Sequence, residues 1–76
     1  MADYHYTVVF EPAPEGGYVV TVPALPGLVT EADTLEEARE MARDAIRGYL
    51  ESLTKHGEGI PLEPQPPSIE RVMVTL

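Results

Sequence analysis

Asp33-Thr34-Leu35-Glu36-Glu37-Ala38 marks the change of period around which this chain is organised. Before it apolar residues alternate; after it they return every three or four positions. Thr34 is a good N-cap and Glu37 stands three residues on, the arrangement of a capping box. The Thr hydroxyl can accept from the Glu37 amide while the Glu37 carboxylate reaches back. Glu36 and Glu37 also suit the positive end of a helix. Leu35, Ala38, Met41, Ala42, Ala45, Ile46, Tyr49, Leu50 and Leu53 then form an apolar stripe. Glu36, Glu40, Arg43, Asp44, Arg47 and Glu51 fill the opposite side. Lys55 and His56 suit the negative end, and Gly57 fits the C′ position. The spacing predicts one helix, about 30 Å long at 1.5 Å per residue, enough to cover a small sheet.

Upstream, residues 4–11 alternate. Tyr4, Tyr6, Val8 and Phe10 fall on one face, His5, Thr7, Val9 and Glu11 on the other, which predicts a strand. Pro12, Pro14, Gly16 and Gly17 break it into a hairpin connection. Residues 18–22 form the second strand, with Tyr18, Val20 and Val22 extending the apolar face. Pro23 lacks an N–H and ends the ladder. Pro26-Gly27 is a tight turn, and residues 28–31 follow as a short strand that carries Glu31 and suits an edge.

Downstream, residues 58–68 contain Pro61, Pro64, Pro66 and Pro67, so they read as an extended connector. Residues 69–76 alternate again, Val72, Val74 and Leu76 against Arg71, Met73 and Thr75. The predicted order is β-β-β-α-β, an α+β domain over residues 1–76. The expected sheet is mixed and four-stranded in the order 3-2-1-4, with one helix on one face and a right-handed crossover. Tyr6, Val8, Val20, Met41, Ala45, Tyr49 and Val72 are expected to share the core.

Composition limits the function classes. With 76 residues there is material for one core only. No cysteine is present, which removes disulfides, a thiolate nucleophile and Cys-type metal sites. Small domains without such staples often gain stability by self-association. Thirteen acidic residues against five basic ones give a net charge of −8, and so strong an excess is repelled by nucleic acid and anionic lipid. A basic protein partner suits that sign. The longest apolar run near the start is Val8-Val9-Phe10, too short for a membrane span, and no signal core precedes it. A cytoplasmic location is the expectation.

Gly17-Tyr18-Val19-Val20, then Val22-Pro23-Ala24-Leu25-Pro26-Gly27, Thr30, Asp33-Thr34, Glu37-Ala38 and Ile60-Pro61 together resemble the HicB antitoxin family. The resemblance covers nearly the whole chain, and the Pro23, Leu25, Pro26, Gly27 turn joined to the Thr34 and Glu37 cap is its most specific part. It implies a partial RNase H-like fold and a role neutralising HicA, a small basic RNA-cleaving toxin. Leu28 stands where Cys is common and Ala32 where Gly is usual. The 76 residues end after strand four, where typical HicB antitoxins continue into a DNA-binding domain. Operator binding is therefore not expected of them.

Glu31, Asp33, Glu36 and Glu37 gather at the helix start. One reading is a divalent-metal site, since true RNase H enzymes use carboxylates. The other is helix capping beside a solvated edge, which the electrostatics favour: a positive helix end does not attract a cation. His5 and His56 are far apart in sequence and show no catalytic spacing. No catalytic, metal or cofactor residue is assigned. The residues expected to face a basic toxin are Glu31, Asp33, Glu36, Glu40, Asp44 and Glu51. The outer sheet face, with His5, Val9, Val19 and Met73, is too apolar for free solvent, and a homo-oligomer through this face or through a sheet edge is expected.

The leading expectation is thus a non-enzymatic antitoxin-type module that binds a HicA-like toxin and contacts neither nucleic acid nor membrane. The alternative is a self-associating domain with another protein partner or a small ligand. A degenerate nuclease ranks third.

Overall fold

The computed structural model describes residues 2–76. Strands β1 (Val9–Pro12), β2 (Tyr18–Thr21) and β3 (Val29–Ala32) form an antiparallel sheet in the order β1-β2-β3. Phe10 pairs with Val20 and Val20 with Thr30, so these three side chains share a face. Val9, Thr21 and Val29 share the other. Helix α1 (Leu35–Lys55) covers the Val20 side. It does so through small residues: Ala38 and Ala42 are buried against Val20, which is itself fully buried, and Val8, Phe10, Tyr18 and Ala32 close around them. The lack of bulk at 38 and 42 brings the helix backbone close to the sheet.

A second cluster lies further along α1. Val22, Leu25 and Leu28 are buried beneath Ala45, Ile46, Tyr49 and Leu50, with Tyr6 and Val8 beside them. Two consecutive turns deliver these residues. The Leu25 amide donates to the Val22 carbonyl at 2.9 Å, and the Leu28 amide donates to the Leu25 carbonyl at 3.2 Å. In the second turn Pro26 sets φ and Gly27 adopts φ +84°, the arrangement of a type II turn. The Tyr49 hydroxyl donates to the Pro26 carbonyl at 2.9 Å and fastens the loop to the helix. The motif read as a turn is therefore also a plug, with Leu25 at its tip.

The helix ends follow local chemistry. Thr34 is extended and its hydroxyl accepts from the Glu37 amide at 3.1 Å. At the other end the Glu58 amide donates to the Leu53 carbonyl and the Gly57 amide to the Thr54 carbonyl, a Schellman pair. His56 Nδ1 lies 2.7 Å from the Ser52 carbonyl.

The structure departs from the sequence-based expectation in three places. Regular pairing begins at Val9, so residues 4–8 lie outside the ladder, and Tyr4 is exposed. Met41, at the margin of the apolar stripe, is exposed too. Most consequentially, residues 69–76 take no regular structure and pair with no strand, and the sheet has three strands where four in the order 3-2-1-4 were expected. Val72 and Val74 are 79% and 74% exposed and join no core. The physical reason lies in the connector. The Tyr6 hydroxyl donates to the Pro61 carbonyl. The Thr7 amide donates to Glu63 Oε1 at 2.9 Å, and the Thr7 hydroxyl to Glu63 Oε2. This clasp fixes the connector just before β1, and the prolines after it carry the arm away. The Cα radius of gyration is 14.6 Å, against about 11 Å for a compact chain of this length.

Candidate partner-binding surface

The residues that build the sheet contain no Lys or Arg. The first basic residue is Arg39; before it stand Asp3, Glu11, Glu15, Glu31, Asp33, Glu36 and Glu37. Local geometry draws several of these together. Gly17 has φ +76°, and a Cβ there would meet the Ala32 carbonyl oxygen at 2.6 Å. Only glycine lets the β1–β2 loop sit this close to the end of β3. Glu15 from that loop and Glu31, Asp33 and Glu37 from the β3–α1 junction consequently line one open cleft of about 520 Å³.

From this cleft the acidic surface continues onto α1. Glu36, Glu40 and Asp44 follow at one-turn steps, and Glu51 lies on the same side two turns further. All six carboxylates expected to face a toxin are exposed. They do not form one uniform patch. Glu31, Asp33 and Glu36 precede the first arginine, whereas Glu40, Asp44 and Glu51 are interleaved with Arg39, Arg43 and Arg47. Glu15 and Glu37 were not among the six. Glu15 was missed because it sits in a hairpin loop whose distance from β3 is set by Gly17, a tertiary fact. Among the described residues no group of three or more His, Asp or Glu side chains is placed to hold a metal ion.

The residues expected at a self-association face are separated. Val9 and Val19 lie on the outer sheet face and are half-buried, with Val29 exposed on the same face. His5 precedes the regular strand, and Met73 rides on the detached arm at 91% exposure. Sequence reasoning missed a groove of about 510 Å³ between the β1 edge and α1. Tyr6, Val8 and Phe10 line one wall, Ala42 and Ile46 the other, with Arg39 and Arg43 at its rim. Burial lifts the Tyr6 phenol above its ordinary value, and neighbouring Tyr4 and the Glu63 carboxylate push the same way. The signal available in the sequence was the apolar alternation of residues 72–76, which needs a wall to pack against.

The family model for the HicB-like antitoxin of bacterial toxin–antitoxin systems matches residues 6–75. The chain belongs to the HicB-like antitoxin family. A UPF0150 protein of Thermoplasma acidophilum is 52% identical over 56 residues, 74% of this chain and 81% of that protein. Antitoxin HicB 1 of Photorhabdus laumondii is 47% identical over 57 residues, 75% of this chain and 37% of its own length. Antitoxin HicB of Escherichia coli K12 is 41% identical over 57 residues, covering 75% of this chain and 41% of that protein. This HicB-like chain thus spans less than half the length of the two relatives that bear the antitoxin name. No helix among its described residues is long and apolar enough to cross a membrane.

Proposed function

We propose that this HicB-like chain is a non-enzymatic binding module that pairs with a small, basic, HicA-like RNA-cleaving toxin and covers its RNA-binding surface. The observation that carries the reading is the acidic stretch before Arg39: seven carboxylates precede it with no Lys or Arg among them. A toxin that works on RNA must present positive charge, and carboxylates around the Glu31–Asp33 cleft and on Glu36 and Glu40 complement it. The same excess opposes direct nucleic-acid binding. Opposite charge mainly speeds encounter and sets orientation, while half-buried Val9 and Val19 with exposed Val29 offer the apolar contact that holds a partner. RNA-directed toxins act where RNA is, so the proposed site of action is the cytoplasm. The β-β-β-α order with an alternating fourth segment supports a partial RNase H-like fold.

The test is binding to a purified small, basic, HicA-like RNA-cleaving protein. A complex is expected that suppresses RNA cleavage and whose association slows several-fold from low to high salt. Glu31→Lys with Glu40→Lys, both at exposed positions, should slow association at low salt with an unchanged circular dichroism spectrum. No complex at any salt, or tight RNA binding by the chain alone, overturns the reading. It would favour the second one, a self-associating domain with another partner or a small ligand.

A further inference from the structure

We propose that residues 69–76 of one copy lie along the free edge of β1 in a second copy and fill the groove between β1 and α1, the exchange being made twice about a two-fold axis. The arm and the groove fit each other. The arm has no regular secondary structure, its Val72, Val74 and Leu76 alternate in sequence with Arg71, Met73 and Thr75 and are largely exposed, and all of it but Leu76 lies inside the stretch that matches the family. The groove is apolar along the walls built by Val8, Phe10, Ala42 and Ile46 and is open along β1, an edge strand of the sheet. A strand laid there pairs its backbone with β1 and turns alternate side chains onto the helix.

The arm's own groove is out of reach. Glu63 is clasped to Thr7, so the connector is already level with the residues that lead into β1. The six steps from Glu63 to Ile69 span about 19 Å in proline-rich extended chain. The five steps from Thr7 to Pro12 span only about 17 Å of strand. A chain running on beside its own β1 passes the strand's end before the alternation starts. Exchanging an identical segment between two copies is a low-cost route to a dimer when the segment overshoots its own site. Charge selects the second copy over a basic toxin as occupant. Arg39 and Arg43 line the groove, whereas Glu70 and Arg71 leave the arm neutral. The inference is independent of the toxin reading.

The experiment uses the full chain. Light scattering should give twice 8.3 kDa, and Val72→Asp with Val74→Asp should halve that mass while the helical circular dichroism signal persists. Isotope-filtered NMR on a mixture of differently labelled copies should show the Val72 and Val74 methyls against the Phe10 and Tyr6 rings of the other copy. A monomer at every concentration overturns the proposal. So do a dimer unaffected by the two substitutions, arm–ring contacts confined to one copy, and the absence of such contacts.

Discussion

Tyr6 joins distant parts of the chain with one side chain. Its ring packs beside Val22, Leu25 and Leu28, and its hydroxyl donates to the Pro61 carbonyl fifty-five residues away. Burial raises its ionisation above the ordinary value of 10.0, with Tyr4 and Glu63 adding to the rise. The stabilising state is the neutral phenol. Its contribution is complete below the unfolded value and is lost as pH climbs through the folded value. Ultraviolet titration of tyrosinate should therefore show one phenol ionising late, and Tyr6→Phe should remove it. The substitution also flattens the loss of stability on the alkaline side. If Tyr6→Phe instead removed a phenol that ionises in the ordinary range and left a late one behind, Tyr6 would be free in solution. Glu63 beside it satisfies the Thr7 amide, so this small contact closes the longest loop in the chain.

At the scale of elements, the segment between β2 and β3 does what a loop seldom does. Leu25 is 1% exposed, and its two turns and the Tyr49–Pro26 hydrogen bond hold it there. Leu25→Ala should cost about 2–5 kcal/mol, the range for a buried leucine whose site cannot collapse, measured by urea unfolding. A loss below about 1 kcal/mol would place Leu25 outside the core. The sequence made the helix legible because its signals are local: Thr34 caps Glu37, and the stripe from Leu35 to Leu53 needs no partner to be recognised. The β1–β2 and β2–β3 turns were legible for the same reason. Leu25 was not, since a lone apolar residue between Pro23 and Pro26-Gly27 has no period. Residues 4–8 and 69–76 alternate as strands do, yet a strand exists only beside a neighbour, and none is supplied within one chain. Of the acidic surface, the members on α1 could be placed by helical spacing alone, while Glu15 depended on the close approach at Gly17.

The whole molecule divides along the chain into a sheet whose residues include no Lys or Arg and a helix that holds four of the five basic residues, Arg39, Arg43, Arg47 and Lys55. The fifth, Arg71, lies on the arm. That division gives the chain an uneven susceptibility to trypsin, which cuts after Lys or Arg where the backbone can be drawn out into its cleft. Residues 1–38 offer no target at all. The four on α1 sit in hydrogen-bonded backbone that opens only when the helix does. Arg71 alone is presented in unpaired chain without regular structure, so native protein should first lose residues 72–76 and nothing else. Mass spectrometry of a timed digest would register this as one small mass step. If arms are exchanged, the step should slow as protein concentration rises at a fixed ratio of protease, because each added copy shelters another's arm. A rate indifferent to concentration would mean that the arm is either always free or never so. The single arginine on the arm thus serves as a built-in reporter of whether the protein is alone.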